Sequence, residues 1–494
     1  MLNRVLPEEV GVRSADVCAL INRLIKRNIH MHSLLLMRGN DVFLDCYWAP
    51  FHKDRTHRMY SVTKSFVSVA IGLAEEDGLI DLDARIGDCF PEKINAPLTG
   101  YLTEQTIRQM LTMTTVGGPP SWFPRQIADR TEFYLNHSAN CRPAGTMWEY
   151  DSAASQVLSS LVEKVTGKRL FDYLNERIFQ KIGAFQTAKV LSIANGDSWG
   201  DSAMICTPRD LATFARFVMN YGVWNGERLM NEQYLRAATA KQAHNALNAH
   251  GGTLRHGYGY QFWRTENNGF AFVGMGDQMA ICLPDQDLIF VCTADNQGNP
   301  FARDYICSLL MDCIAEPISD CPLPANEADA ARLARLTESL TLYAVTGEAD
   351  SPVRDVIHGA CYLCHDNPLG WKDFCFRFDG ADQGELCYTN ARGRMVLPFG
   401  INKNCFGKFP ELGYSREYGA QRTTDGHRYD DAVSAAWLQP DKLLMYVQII
   451  DDYFGNCSLI FSFKDDMATV QATRTAEDFL WDYQGQIVAH RQSG

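Results

Sequence analysis

The sequence predicts an α+β fold, an antiparallel sheet flanked by helices, with a separate β-rich region at the C-terminal end. Two stretches near the N-terminus, 33–37 and 42–48, are strand-like and are joined by Arg38-Gly39-Asn40-Asp41, which suits a tight hairpin turn. Further strand-like stretches come much later in the chain, after residue 257. From residue 350 onward, short aromatic and β-branched runs alternate with Gly, Asp and Asn turns, which is typical of a β-sandwich or barrel.

The elements of the first domain can be placed in chain order. A helix is expected from Ser14 as N-cap, and a second from Ser61 to a C′ glycine at Gly78. Thr207-Pro208 predicts a further helix start, because threonine caps helices and proline favours the first helical position. Strands are expected at 258–263, 270–283 and 288–293, and a final helix at 303–314. The region between the hairpin and these strands is therefore predicted to be an all-helical subdomain.

A linker separates the two domains. Three prolines within 316–324 interrupt regular structure, and a short helix is plausible at 326–341. We therefore expect a first domain at 1–315, a linker with a short helix at 316–349, and a β-rich domain at 350–494.

Composition limits the classes of partner. The chain has 494 residues, a formal net charge of −13 and a pI near 5.4, which argues against nucleic acid or an anionic membrane surface. The N-terminal stretch has no apolar signal core and no run of 18 apolar residues occurs, so a cytoplasmic location is expected. The 16 cysteines lie mostly in apolar runs and are expected to be free, buried thiols. The expected partner is a small-molecule substrate, and the sequence leaves room for a homo-oligomer.

The stretch 59–66, Met-Tyr-Ser-Val-Thr-Lys-Ser-Phe, is the most informative for chemistry. Apolar residues recur at helical spacing from Val62 to Leu73 and the other faces are apolar too, so this helix is expected to be buried. Ser61 at its N-terminus and Lys64 one turn later would lie on the same side. Desolvation favours a neutral lysine amine, which can accept a proton from a nearby hydroxyl. The pattern therefore indicates an activated nucleophile.

A structural interpretation of the same two residues is also open. Ser61 could be an N-cap and Lys64 a solvated first-turn residue, and about two Ser-x-x-Lys matches arise by chance in a chain this long. However, a first-turn lysine opposes the helix dipole, and a helix with little polar face gives it no route to water. These considerations favour the functional interpretation.

Tyr150 is a candidate partner for Ser61 and Lys64. It lies between the loop Arg142-Pro143-Ala144-Gly145 and an amphipathic helix. A tyrosine hydroxyl relays protons when a neighbouring ammonium stabilises its phenolate, and Lys64 would supply that charge. Taken alone, Tyr150 also fits a packed aromatic residue with a satisfied hydroxyl.

Several motifs in this order resemble the serine β-lactamase and penicillin-binding-protein-like superfamily. Within it, the match is to class C β-lactamase-like esterases and amidases of the 6-aminohexanoate-dimer hydrolase type. The resemblance rests on Ser61-Val62-Thr63-Lys64, on Tyr150-x-Ser152, and on the Gly-rich stretch 273–278. It spans roughly residues 5–315 and implies a β-lactamase/transpeptidase-like domain.

The resemblance implies a role for each matching residue. Ser61 would be the acylated nucleophile, Lys64 the base that activates it, and Tyr150 the group that relays a proton to the leaving atom. Which of Lys64 and Tyr150 first accepts the serine proton stays open. The implied mechanism uses no cofactor and no metal.

The Gly-rich stretch departs from the family pattern. Family members carry a cation there, in Lys-Thr-Gly or His-x-Gly, whereas this chain has Phe272-Val273-Gly274 or Met275-Gly276-Asp277. The backbone N–H groups of Met275 and Ser61 are the expected oxyanion hole. The residues expected to contact substrate are Ser152, Gly274, Gly276 and Gln278. Because no cation is available to hold a substrate carboxylate, the expected substrate is a neutral small ester or amide.

Other functions remain compatible with the sequence. The acyl group could pass to an alcohol or amine acceptor instead of water, or the protein could be a ligand-binding sensor that does not turn over. Cys361-Tyr362-Leu363-Cys364-His365 matches a haem-attachment pattern, which the β-rich, unexported context argues against. With Cys375 and Cys387 the same stretch could form a zinc site, and packing in a β-core is the alternative explanation for these cysteines. The C-terminal domain is expected either to restrict access to the site through Trp371, Trp437 and Tyr453, or to serve packing or dimerisation.

Overall fold

The chain forms two compact units in a computed structural model that describes residues 3–122, 127–247, 251–419, 424–476, 480 and 483–492. The first unit is Met1–Thr341 with Glu417–Gln421, and the second is Leu342–Arg416 with Arg422–Gly494. The helix expected near 326–341 is present as Glu327–Glu338 and belongs to the first unit, because it packs on the helix Ser14–Lys26.

The strands of the first unit are numbered in chain order. They are β1 (Asn3–Arg4), β2 (Met31–Arg38), β3 (Asp41–Tyr47), β4 (His57–Arg58), β5 (Lys189–Val190), β6 (Met204–Cys206), β7 (Val223–Trp224), β8 (Glu227–Arg228), β9 (Trp263–Arg264), β10 (Phe270–Gly274), β11 (Gln278–Leu283) and β12 (Leu288–Ala294). The central sheet has the order β1-β3-β2-β12-β11-β10-β9, in which only β1 and β3 pair parallel. The early hairpin thus joins the late strands through β2 and β12, as the sequence predicts.

The helices of the first unit follow the same numbering. They are α1 (Ser14–Lys26), α2 (Thr63–Glu76), α3 (Ile86–Cys89), α4 (Ile107–Leu111), α5 (Arg130–His137), α6 (Ser152–Thr166), α7 (Leu170–Leu174), α8 (Gln180–Ile182), α9 (Pro208–Met219), α10 (Glu232–Thr239), α11 (Ala302–Leu310) and α12 (Glu327–Glu338). Helix α9 packs on β2, β11 and β12, and α2 packs on α6. One continuous apolar core joins these helices to the sheet.

Several local predictions are confirmed, and others need correction. Thr207 caps α9 by accepting a hydrogen bond from the Asp210 amide, and Gly78 has a left-handed φ of +71° just past α2. Ser14 is not the N-cap of α1 but its first residue, because its amide and hydroxyl both donate to the Glu8 carboxylate. The inserted subdomain is not all helical, since it also contains β4 to β8. Those strands have only two or three residues, too few to show alternation in the sequence.

The expected strand at 258–263 is the largest error. Only Trp263–Arg264 pairs with the sheet, as β9. Gln261 adopts a left-handed φ of +64°, which breaks the extended backbone that an alternating aromatic pattern favours.

The second unit is a sheet that closes on itself. Its elements are α13 (Arg354–Ile357), β13 (Cys361–Cys364), β14 (Asp373–Asp379), β15 (Gln383–Asn390), β16 (Gly393–Ile401), β17 (Cys405–Lys408), β18 (Asp430–Gln439), β19 (Lys442–Ile450), β20 (Phe454–Lys464), β21 (Met467–Ala476) and β22 (Gly485–Arg491). The strand order is β16-β15-β14-β13-β22-β21-β20-β19-β18-β17, and β16 also pairs with β18. Among the described residues the sheet is therefore a barrel rather than a sandwich, with β17 attached beside β18.

Aromatic side chains fill the inside of this closed sheet. Phe376 makes an edge-to-face contact with Phe461 at a centroid distance of 4.8 Å, as aromatic pairs prefer. Trp371, Trp437 and Tyr453 are 3%, 1% and 1% exposed, so these three side chains are buried. In the described ranges, no helix is long and apolar enough to cross a membrane.

Asp431 gives the second unit a predicted pH dependence. Its carboxyl is 2% exposed on β18, and burial raises its pKa from 3.8 to about 7. The unfolded chain releases this proton near pH 4, whereas the folded chain holds it until about pH 7. The contribution of Asp431 to the free energy of unfolding is therefore fully present below pH 4. It is lost as the pH rises to about 7, by up to about 4 kcal/mol.

We therefore expect Asp431→Asn to raise the thermal midpoint of the second unit at pH 8, and to leave it nearly unchanged at pH 4. Thermal unfolding followed across this pH range measures both. Asp382→Asn is the control, because its exposed carboxylate pairs with Lys403, which lowers its pKa instead. Equal pH slopes in the wild type and Asp431→Asn would contradict this prediction.

Candidate active site

Ser61 lies in a short 3-10 turn, Tyr60–Val62, that leads directly into α2. The turn is held by Thr63, whose hydroxyl donates to the Tyr60 carbonyl at 2.6 Å and accepts from the Met204 amide at 2.9 Å. Every residue from Thr63 to Ala74 is buried, as the apolar pattern predicts, whereas Ser61 is half-buried. The fold therefore presents the serine hydroxyl at the buried N-terminal end of α2.

Lys64 has the contact that the three-residue spacing predicts. Its Nζ lies 3.0 Å from Ser61 Oγ and donates to the Asp201 carbonyl at 2.6 Å. The amine also lies 5.1 Å from the centroid of the Tyr150 ring. Lys64 is 2% exposed, so this amine is not a solvated first-turn side chain. The structure thus brings Ser61, Lys64 and Tyr150 together.

Tyr150 is held by aromatic packing. Its half-buried ring stacks on Trp263, with centroids 5.5 Å apart and planes 19° from parallel. Trp148 and Tyr258 pack edge-on against Trp263, at 5.5 and 4.9 Å. Since these two rings restrict Trp263 and Trp263 restricts Tyr150, the tyrosine has little freedom to move away from the Lys64 amine.

Asp151 fixes the backbone directly after Tyr150. Its carboxylate caps α6 by accepting from the Ala154 amide at 3.1 Å, and it also accepts from the Thr115 hydroxyl at 2.8 Å. Burial raises the pKa of this carboxyl, and both hydrogen bonds oppose that rise. Ser152 is the first residue of α6 and is half-buried, one residue from this anchor.

The β10–β11 turn lies against the backbone that precedes Ser61. A Cβ on Gly274 would lie 2.3 Å from the Met59 carbonyl oxygen, a distance at which atoms overlap. Only glycine allows this approach without displacement. Met275 follows at the turn and is 40% exposed. The Met275 N–H, the candidate donor for the oxyanion hole, is therefore next to the end of β10. That strand end packs directly on the backbone at Met59, just before Ser61.

Gln278 and Gly276 support this turn. Gln278 Nε2 donates to the carbonyls of Met275 and Ala294 at 2.8 and 2.7 Å, and its Oε1 accepts from the Ala294 amide at 3.0 Å. Gln278 is 0% exposed, and the nitrogen and the oxygen of its side-chain amide are both hydrogen-bonded within the protein. The side chain is therefore not available to a substrate. Its expected role in substrate binding is therefore corrected to one in positioning the turn. Gly276 is buried and supplies the left-handed φ of +74° that the turn requires.

Sequence reasoning missed Asp201 and Arg130. The Asp201 carboxylate accepts from the Trp122 indole at 3.3 Å and lies 3.8 Å from Arg130 Nη1. Both charged side chains are almost fully buried, and the Arg130 guanidinium lies 4.7 Å from the centroid of the Trp122 ring. Burial lowers the pKa of Arg130, and the Asp201 carboxylate opposes this. These contacts fix the peptide group of Asp201, whose carbonyl accepts the hydrogen bond from the Lys64 amine.

The role of Gln261 was also missed, because the stretch 258–263 was predicted to be a strand. The Gln261 carbonyl accepts from Ser65 Oγ at 2.8 Å, and its side-chain oxygen accepts from Ser155 Oγ at 2.7 Å. Its Nε2 donates to the Met110 carbonyl at 3.2 Å. The buried Gln261 thus contacts α2 through its backbone carbonyl, and α4 and α6 through its side-chain amide. These three helices carry or border the site.

A metal centre has no support in the described parts of the chain. No group of three or more His, Cys, Asp or Glu side chains there is arranged to hold a metal ion. The cysteines of the proposed zinc pattern are free thiols.

The contact of Gly274 with Met59 can be tested by Gly274→Ala. The added methyl group must displace the strand or the nucleophile segment, which lowers the free energy of unfolding by about 1–3 kcal/mol. Labelling of Ser61 by a fluorophosphonate should slow by roughly tenfold to a hundredfold, because the site geometry shifts. Urea unfolding and labelling kinetics measure the two effects. The control is Gly252→Ala, where the nearest side chain is 3.7 Å from the new Cβ. Unchanged labelling in Gly274→Ala would contradict this interpretation.

Comparison with known proteins identifies the family. The family model described as Beta-lactamase matches residues 19–306. Over 261 residues the chain is 25% identical to the 6-aminohexanoate-dimer hydrolase of Paenarthrobacter ureafaciens, covering 49% of this chain and 67% of that protein.

Two solved structures agree in fold. One, from Bacillus anthracis, is provisionally described as a 6-aminohexanoate-dimer hydrolase and has a TM-score of 0.51 and 19% identity. The match covers 59% of this chain and 80% of the Bacillus anthracis chain. The other, a penicillin-binding protein homologue from Caulobacter crescentus, has a TM-score of 0.50 and 16% identity, covering 62% and 99%. At such identities these structures support the fold alone. Because the family model spans more than half of the chain, this protein belongs to the beta-lactamase family of serine hydrolases.

Proposed function

We propose that this protein hydrolyses a neutral small ester or amide through an acyl-enzyme at Ser61. The observation that carries the proposal is the Lys64 amine, buried and 3.0 Å from Ser61 Oγ. A hydroxyl becomes a nucleophile when an adjacent base can take its proton, and a neutral lysine amine is such a base.

The reaction has two halves. Ser61 Oγ attacks the substrate carbonyl carbon while its proton passes to Lys64 or Tyr150. The N–H groups of Ser61 and Met275 stabilise the resulting oxyanion. Tyr150 then returns the proton to the leaving alcohol or amine, and the C–O or C–N bond breaks. In the second half, water adds to the acyl-enzyme, releases the acid and restores the Ser61 hydroxyl.

The preference for a neutral substrate follows from the residues at the turn beside Ser61. Gly274, Met275 and Gly276 offer no cationic side chain there. Arg130 is buried beside the Asp201 carboxylate, so its charge is compensated within the protein. A substrate carboxylate would then enter this side of the site without a matching charge.

A linear amide is one candidate substrate within this class. The relative from Paenarthrobacter ureafaciens is named for the hydrolysis of 6-aminohexanoate dimer. Because that dimer carries a terminal carboxylate, an amide that lacks the terminal charges is the starting point for assays of this protein. We expect half-buried Ser152, one residue from the anchored Asp151, to contact the acyl group of the substrate.

The proposal is tested by hydrolysis of p-nitrophenyl butyrate by wild type, Ser61→Ala and Ser68→Ala, with intact mass spectrometry on each sample. Ser61→Ala should lower kcat by at least about a thousandfold and lose the acyl adduct. Ser68→Ala removes a buried hydroxyl further along α2 that is hydrogen-bonded to Tyr234 of α10. This variant should keep both turnover and adduct. A chelator should leave the rate unchanged.

Turnover by Ser61→Ala, or its abolition by the chelator, would overturn the proposed mechanism. A single acylation of wild type without turnover would favour the sensor instead. Product analysis with an added alcohol or amine separates hydrolysis from acyl transfer, because transfer leaves an ester or amide of the acceptor.

A further inference from the structure

Three cysteines line up across adjacent strands of the second unit. Cys361 on β13 lies opposite Cys375 on β14, and Cys375 lies opposite Cys387 on β15. Phe374 and Phe376, on either side of Cys375, are fully buried in the interior of the closed sheet. Because side chains alternate along a strand, the three thiols share the outer face. We call Cys361, Cys375 and Cys387 the thiol row.

Within the thiol row, Cys375 and Cys387 are opposed within the longer of the two ladders, since β14 and β15 pair over seven residues and β13 and β14 over three. Directly opposed residues of antiparallel strands have Cα atoms about 4.5–5.5 Å apart, within the range of about 4.4–6.8 Å that a disulfide requires. The register of these two residues therefore suits a cross-strand disulfide.

The two thiols differ in access. Cys375 is half-buried, whereas Cys387 is 3% exposed. A reagent therefore reaches Cys375 first, and Cys387 is placed to react in a second step. Cys405, also on a strand of this unit, lies opposite Val433 and has no such partner.

We propose that Cys375 and Cys387 form a dithiol site that takes low-molecular-weight disulfides and closes by thiol–disulfide exchange. The Cys375 thiolate attacks one sulfur of the small disulfide, forming a mixed disulfide and releasing one thiolate. The Cys387 thiolate then attacks the Cys375 sulfur, forming the cross-strand bond and releasing the second thiolate. The two protein protons leave with the released thiols, so the protein is oxidised and the small disulfide is reduced. This site is independent of the proposed hydrolase mechanism.

The rate of closure should depend on pH in a defined way. Burial and the neighbouring Cys387 raise the pKa of Cys375 to about 11. Since only the thiolate attacks, its fraction and the exchange rate should rise about tenfold per pH unit between pH 7 and pH 9.

The test treats the full-length reduced protein with oxidised glutathione, alkylates the remaining thiols and maps the peptides by mass spectrometry. We expect a Cys375–Cys387 cross-linked peptide, with two equivalents of reduced glutathione for each protein beyond those released by mixed disulfides at the exposed Cys141 and Cys321. Cys375→Ser and Cys387→Ser should each abolish the cross-link, whereas the control Cys405→Ser should form it at the wild-type rate.

Three results would overturn the proposal: a stable mixed disulfide at Cys375 without closure, a Cys361–Cys375 bridge in place of the expected one, or no reaction of either thiol. Peptide mapping of the wild type distinguishes these results even where a serine variant fails to fold. A rate that stays constant from pH 7 to pH 9 would contradict attack by the Cys375 thiolate.

Discussion

The site depends on one buried amine. Lys64 sits at the start of a helix whose first twelve residues are all buried, so its Nζ has no access to bulk water and must find partners within the protein. The Asp201 carbonyl and Ser61 Oγ are those partners. The Asp201 carbonyl cannot accept a proton, so in the proposed mechanism the Ser61 hydroxyl is the group that exchanges a proton with the amine. The same burial that makes the lysine costly to hold therefore directs it to Ser61.

Contacts from distant parts of the chain keep this arrangement in place. Arg130 and Trp122 fix the Asp201 carboxylate and with it the carbonyl that Lys64 needs. On another side, Gly274 lets β10 approach the Met59 carbonyl. Gln278 holds the turn that follows Gly274 through three hydrogen bonds to backbone groups. These buried polar side chains position the site, which explains why mutations outside the reacting atoms should still affect the chemistry.

The predictable features of the site are those encoded over short distances in sequence. The contact of Ser61 with Lys64 follows from helical spacing, and burial of the helix follows from its apolar faces. The partnership of Lys64 with Asp201 joins residues 137 positions apart and leaves no local pattern. Gln278 was misjudged for a related reason, since its position in a Gly-rich motif suggested substrate contact and only the fold reveals Ala294 as its partner.

The same distinction applies to the fold. The hairpin, the cap at Thr207 and the strand at 288–293 have clear local signals, whereas the short strands β4 to β8 have too few residues to produce one. The motif around Gln261 looked like a strand because aromatic residues alternate, but its left-handed backbone serves to tie three helices together. In the C-terminal unit, aromatic content predicted β-structure, but closure of the sheet depends on the pairing of β16 with β18, which leaves no local pattern.

The central claim is that the backbone at Met275 and the hydroxyl of Ser61 act on the same carbonyl group. The most direct measurement is a crystal structure of the protein after reaction with a phosphonate ester, which mimics the tetrahedral intermediate. We predict phosphorus bonded to Ser61 Oγ and one phosphonate oxygen about 2.7–3.1 Å from the backbone nitrogens of both Ser61 and Met275. A phosphonate attached to another residue, or an oxygen that points away from Met275, would contradict the proposed site.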